Sequence, residues 1–257
     1  MVTRFANPQN ILITGASSGI GAALARGYSK PRRYLALSGR DVERLQQVAD
    51  ECRDLGAEVE AKIVNVCDRD AMAAWVARIE ADYPLDLVIA NAGISGGTAD
   101  GGESDEQARE IFEVNLAGVL NTIFPAISSM KIRQHGQISI VSSIAGFRGL
   151  PSAPAYSASK AAVKVYGEAL RGALYDDGIG VSVICPGFVN SRMTAKNNYP
   201  MPLIISAERA ATTIISGLAQ NRARIAFPWP MYLAIWIMSV LPQFLTDITF
   251  RWLPQKK

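Results

Sequence analysis

Tyr156 and Lys160 stand four residues apart where an alanine-rich helical stretch begins, so their side chains project from one face and can act on one atom. An isolated phenol, with a pKa of ~10, exchanges protons poorly near neutrality, whereas an ammonium a few ångströms away favours the phenolate. We therefore expect Lys160 to make Tyr156 acidic enough to carry a proton. Ser143 lies 13 residues before Tyr156, just after an apolar strand, and its hydroxyl can donate to a carbonyl or alkoxide oxygen as negative charge grows there. Tyr-x-x-x-Lys alone is a common coincidence on helices. The serine at the end of a separate strand gives the pair its meaning.

A second constellation is Thr14-Gly15-Ala16-Ser17-Ser18-Gly19-Ile20-Gly21, which ends one apolar run and opens an alanine-rich helix. Glycines let main chain come close to a pyrophosphate, and a helix amino terminus offers unpaired N–H groups and the positive end of its dipole. Gly15, Ser17, Ser18, Gly19, Ile20 and Gly21 are thus candidate dinucleotide contacts, with an ordinary glycine-rich turn as the alternative. Gly39-Arg40 stands at the end of the next apolar run. An NAD-selective site places a carboxylate there for the ribose hydroxyls, and that charge would repel a 2′-phosphate. Here glycine takes the carboxylate's place and Arg40 offers a planar fork to phosphate oxygens, so NADP (NADPH) is the expected cofactor. The alternative is a solvated arginine opening a surface helix capped by Asp41.

These residues need elements to hold them. Apolar runs at residues 11–14, 34–38, 59–66, 87–90, 137–141, 180–185 and 224–227 read as strands. Helical patterns fall between them at residues 20–28, 42–55, 68–83, 104–130 and 156–175, and Ser206 caps one more. Near-continuous apolar strands alternating with helices describe a doubly wound α/β fold of Rossmann type, a seven-stranded parallel sheet with helices on both faces. Ligands of such sheets bind beyond the carboxyl ends of the strands, where Gly15, Arg40 and Ser143 fall. No repeat, low-complexity tract or linker divides residues 1–257, so a single dinucleotide-binding catalytic domain is expected, with residues 228–257 as an apolar, aromatic-rich tail.

The glycine spacing departs from the more widespread Gly-x-Gly-x-x-Gly. With Thr14 before it and with Ser143, Tyr156 and Lys160 following in order, the chain resembles the short-chain dehydrogenase/reductase family over about residues 10–220. The resemblance implies reversible hydride transfer between nicotinamide and a secondary alcohol or ketone, with no metal, the protein orienting the cofactor and managing the proton. It implies Ser143, Tyr156 and Lys160 as catalytic residues and adds Asn115, which would hold a water in a proton relay with the lysine. Ser142, one residue further from Tyr156, is the poorer match. Asn65-Val66 falls where the family has an aspartate and an apolar residue around the adenine, and the Asn65 amide oxygen could still accept from the adenine amino group. Asn91-Ala92-Gly93 matches a segment that supports the sheet and lets main chain approach the ribose. Pro186-Gly187-Phe188-Val189 matches the segment whose valine main chain binds the carboxamide, and Ser191 keeps the hydroxyl of the family's usual threonine. A homodimer or homotetramer is the assembly implied.

Composition narrows the partners. A formal net charge of +3 is spread over 26 basic and 23 acidic side chains without a basic stripe, so nucleic acid is not expected. Cys52, Cys67 and Cys185 lack paired metal or redox spacing and read as thiols of a reducing compartment, and no apolar signal core opens the chain, so a cytoplasmic protein is expected. The ending is unusual. Trp229, Tyr232, Trp236 and Trp252 are interleaved with Pro228, Pro230, Pro242 and Pro254, and the apolar run 231–241 is short of the ~20 residues a span needs. It reads as a buried tail over the pocket or a subunit contact, as a lid, or as a peripheral contact with the inner face of a membrane. For the last, its aromatics with Arg251, Lys256 and Lys257 suit a headgroup boundary. An apolar cover implies a small-molecule substrate that is bulky and lipid-like. A non-catalytic nucleotide-binding scaffold is the rival for the whole chain, and a sugar-nucleotide epimerase a weaker one that the glycine spacing and modest length disfavour.

Overall fold

A computed structural model describes residues 5–96, 102–197, 199–242 and 244–246. Strands β1 (Asn10–Ile13), β2 (Tyr34–Gly39), β3 (Glu58–Ile63), β4 (Leu87–Ala90), β5 (Gly136–Val141), β6 (Ile179–Pro186) and β7 (Arg224–Phe227) form one sheet in the order β3-β2-β1-β4-β5-β6-β7. Every pairing is parallel, as the sequence led us to expect. The crossovers carry helices α1 (Gly19–Tyr28), α2 (Val42–Asp54), α3 (Arg69–Asp82), α4 (Asp105–Phe112), α5 (Gly118–Arg133), α6 (Pro154–Ala173) and α7 (Ala207–Ala219), and α8 (Trp229–Val240) follows the last strand.

Strand alternation sends side chains to two faces. Ile11 and Ile13 of β1 pack with Leu24 of α1, Val48 of α2 and Ile214 of α7 on one side. Leu12, between them, packs with Trp75 of α3, Ile123 of α5 and Val163 of α6 on the other. The chain winds outward from β1 to β3 and then returns to lay β4 beside β1. The connections after these two neighbours leave in opposite directions, which opens a crevice at their carboxyl ends.

Three elements differ from the sequence expectation. β3 is an edge strand that alternates charged and apolar residues rather than a continuous apolar run, and it stops at Ile63. Glu58, Glu60 and Lys62 on it discourage pairing with another chain, and Glu60 is further held by Tyr34 Oη at 2.8 Å, Trp75 Nε1 at 2.7 Å and the Arg78 guanidinium. The long helix expected at 104–130 is two helices joined by a π-helical turn, Glu113–Ala117. The extra residue of such a turn rotates the apolar stripe of the second helix by about 100° relative to the first, each side keeping its own regular pattern. α6 begins at Pro154, a residue suited to a first helical turn because it has no N–H to satisfy. α8 holds no fully buried residue in the single chain, while its Met231 and Ile235 line the cleft. Arg251, Trp252, Pro254, Lys256 and Lys257, and residues 97–101 of the loop after β4, lie outside the described residues.

Candidate active site

Above the carboxyl ends of the strands runs a cleft of about 610 Å³. Its floor is set where β1 meets β4. The buried Thr14 hydroxyl accepts the N–H groups of Asn91 and Ala92, both at 3.2 Å. Asn91 Nδ2 in turn donates to the carbonyls of Thr14 and Gly15, at 2.9 and 3.1 Å. Gly15 is left-handed, with φ of +67°, and a Cβ there would stand 2.8 Å from Ala92 Cα. A Cβ on Gly21 would lie 2.3 Å from the Gly15 carbonyl oxygen, so α1 reaches the turn only because that residue has no side chain. Ser18, the residue before α1, makes no side-chain cap, and Ser17, Ser18, Gly19 and Ile20 line the cleft with Gly15. An open helix amino terminus behind closely approachable main chain fits a pyrophosphate. Gly21 acts beneath this surface and does not line the cleft.

At one end, a Cβ on Gly39 would come within 3.0 Å of the Ser17 side chain, so the absent carboxylate is also a packing requirement. Arg40 lines the cleft, exposed and only loosely paired with Glu110 at 3.7 Å. Asp41 caps α2, accepting from Arg44 N–H at 3.0 Å, and pairs with the Arg44 guanidinium at 2.7 Å. The Asp41 carboxylate is thus paired, and Arg44, which sequence reading passed over, is a second cation in the wall. Val66 and Asn65 line the cleft too. The Asn65 amide oxygen already accepts the Cys67 N–H at 3.1 Å, closing a turn, which leaves one lone pair for an adenine.

At the other end, Ser143, Tyr156 and Lys160 share one wall. The Ser143 hydroxyl accepts the Ala145 N–H at 3.1 Å and donates to the Pro186 carbonyl at 3.4 Å. Ser142 is tied instead to the Lys160 carbonyl at 2.7 Å. The expectation about Lys160 needs correction. Its ammonium donates to the Val141 carbonyl at 2.9 Å and stands 5.9 Å from the centre of the tyrosine ring. Burial raises the Tyr156 pKa above its ordinary value, and what opposes it is the nearby Ser143 hydroxyl, not the lysine. Burial likewise lowers Lys160 to about 8. Desolvation penalises whichever form is charged, so it moves the two groups in opposite directions.

Asn115 is fully buried and does not line the cleft. Its Oδ1 accepts from Ile94 N–H at 2.8 Å, and its Nδ2 donates to the Ile94 carbonyl at 2.9 Å and to Ser159 Oγ at 3.1 Å. The side chain is thus engaged, and a water at this residue would be held by main chain. A Cβ on Gly93 would meet Asn115 Oδ1 at 3.1 Å and Lys160 Nζ at 3.2 Å, which places the three together. Pro186, Gly187, Val189 and Ser191 close the cleft after β6. Asn190 N–H and the Phe188 carbonyl pair with Ile205, so the Val189 main chain faces the opposite side. There its carbonyl accepts from Thr194 Oγ1 at 2.8 Å, and that hydroxyl lies 3.3 Å from Ser191 Oγ.

Sequence reading missed several groups. The Glu103 carboxylate accepts the N–H groups of Ala155 and, at 3.1 Å, Tyr156, and so caps α6 from a distant loop. Tyr199 brings a second phenol to the cleft, and Met231 and Ile235 of α8 bring apolar cover. Only the apolar composition of the ending signalled any of these.

Fold and cleft together define a Rossmann-type oxidoreductase. The short chain dehydrogenase model matches residues 9–201, and the chain belongs to that family. An uncharacterized oxidoreductase of Myxococcus xanthus (strain DK1622) is 37% identical over 241 residues, which is 93% of this chain and 95% of that protein. A short chain dehydrogenase/reductase of Burkholderia phymatum in complex with NAD superposes with a TM-score of 0.81 at 25% identity, covering 99% of each chain. A short-chain dehydrogenase of Sphingobium yanoikuyae in complex with NADPH reaches 0.78 at 24% identity, over 91% of this chain and 96% of that one. The family binds a nicotinamide cofactor, and these two neighbours hold different forms of it.

Proposed function

We propose that this chain is an NADP(H)-dependent oxidoreductase interconverting a secondary alcohol and a ketone on a bulky, apolar substrate. The observation that carries the reading is one continuous cleft, with the glycine turn along it and Ser143, Tyr156 and Lys160 in its wall. A bound nicotinamide supplies or accepts the hydride. Ser143 Oγ donates to the substrate oxygen and stabilises the charge that develops on it. Tyr156 Oη gives that oxygen its proton in reduction and takes it back in oxidation. Burial favours the neutral phenol, the form that carbonyl reduction needs. Lys160, cationic below a pH of about 8, holds positive charge behind the phenol and keeps its ammonium fixed on Val141.

Arg40 and Arg44, with glycine at position 39, support the 2′-phosphate preference. Leu150, Met193, Pro202, Met231 and Ile235 support the apolar substrate. Oxidation of NADPH and NADH against short ketones, sugars, steroids and acyl substrates tests both. NADPH with apolar ketones should be preferred, and Arg40→Ser should weaken NADPH by about 10-fold or more, the worth of a charge-assisted hydrogen bond, while sparing NADH. A wild-type preference for NADH would overturn the cofactor assignment.

A further inference from the structure

Around the cleft mouth several large apolar side chains are exposed. α8 turns Met231 and Ile235 toward the cleft and leaves Trp229, Leu233, Trp236, Ile237 and Val240 exposed, Trp229 at 70% and Val240 at 64%. Leu241, Phe244 and Leu245 extend this face. Across the mouth, Met193 lines the cleft while 40% exposed, and Leu203 and Ile204, next to the lining Pro202, are exposed as well. Both segments border the same cleft, and Gly187, at the start of the second, lies against Met231 and Pro228, to which a Cβ there would come within 3.0 Å. Exposed apolar residues gathered on both sides of a cleft mouth mark an interaction site.

Charge selects the partner. Residues 187–206 carry Arg192 and Lys196 and no carboxylate, and residues 228–246 carry no charged side chain. We propose that this rim docks the protein on an anionic lipid surface, which deepens the apolar-substrate reading by naming where the substrate enters. α8 has 12 residues and, at ~1.5 Å per residue, is too short to cross a bilayer, so it lies in the interface with its tryptophans at headgroup level. A second protein seated on the same rim would close the entrance to the cleft. A lipid surface instead holds an apolar guest at that entrance.

Full-length protein is sedimented with phosphatidylcholine vesicles, with and without phosphatidylglycerol, and its tryptophan emission is followed with brominated lipid. Binding should require phosphatidylglycerol and fall as salt rises, and the bromines should quench the emission. The variant Leu233→Ser/Trp236→Ser/Val240→Ser, which leaves the cleft lining intact, should bind at least about tenfold more weakly, a loss expected from the apolar area removed. It should keep its turnover of a soluble ketone. The proposal is overturned by equal binding to both vesicle types, by unquenched emission, or by self-association that the same variant abolishes. Vesicle binding that appears only after residues 247–257 are removed would also overturn it, since the chain's own tail would then be the occupant. Sedimentation requires no catalysis, so its outcome is independent of the reductase reading.

Discussion

At the glycine turn, main chain meets main chain: Thr14, Gly15, Gly21 and Asn91 hold one another through contacts in which almost any added atom would collide. At the mouth beneath α8, position depends on interchangeable apolar side chains, Met193, Pro202, Met231 and Ile235, that fill space without hydrogen bonds to one another. The first region tolerates few residue types and binds one kind of group. The second can be rebuilt without disturbing the first. On the proposed reading, the first end of the cleft carries the cofactor and the second selects the guest. Between them stands the reacting wall, and its dependence on each side can be measured.

The largest expected effect isolates that wall. Tyr156→Phe removes the proton carrier and keeps the ring, so kcat/KM should fall by about 10²–10⁴-fold, or ~3–5 kcal/mol, with NADPH affinity unchanged in a fluorescence titration. Loss of nucleotide binding in this variant would mean that the two regions are not separable.

Lys160 should show the cost of building the wall into the core. Its folded pKa of about 8 lies below its ordinary 10.5, so the folded protein releases a proton that the unfolded chain keeps. Between these values the unfolded state binds more protons, and unfolding free energy must rise with pH. Below a pH of about 8 the full penalty of a buried ammonium is present. Lys160→Met should therefore raise the melting temperature at neutral pH by a stabilisation on the order of 1–3 kcal/mol, flatten the rise above pH 8, and abolish turnover. A lower melting temperature would show that the bond to Val141 outweighs burial.

How far sequence reading reached follows the same division. Residues 87–90 are apolar throughout, and 180–185 apart from Ser182, because β4 and β6 are covered on both faces, so strands, order of elements and glycine turn were legible. What depends on three-dimensional closure was not. Spacing placed Lys160 beside Tyr156, but the electrostatics follow from burial, which reversed the expected direction. Asn115, in the π-turn, is buried and outside the cleft lining, which spacing alone did not signal. Asn65 carried a turn signal that was available, an amide two residues before the N–H it accepts. The apolar ending suggested a buried cover, and only the fold shows that α8 has apolar surface on both sides.

The smallest predicted effect concerns a residue that no local pattern points to. Ala153, before α6, supplies no side-chain cap, and Pro154 has no N–H, so the first donors needing a partner belong to Ala155 and Tyr156. Glu103 accepts both. On the other side of the same residue, the Tyr156 carbonyl accepts from Ser159 Oγ at 2.8 Å, and that oxygen accepts from Asn115 Nδ2. The tyrosine main chain is thus braced on both flanks by groups that connect α6 to the segment carrying Asn115. Removing a helix cap costs ~0.5–2 kcal/mol, so Glu103→Ala should lower kcat by roughly 3–30-fold if the lost energy appears as misplacement of the phenol. Glu103→Gln keeps an acceptor oxygen and should recover most of it, while NADPH affinity stays constant in both. An unchanged kcat in the alanine variant would mean that Tyr156 is positioned by α6 alone. The reacting wall would then be as self-determined as the glycine turn, and the contrast between the two ends of the cleft would begin only at the apolar mouth.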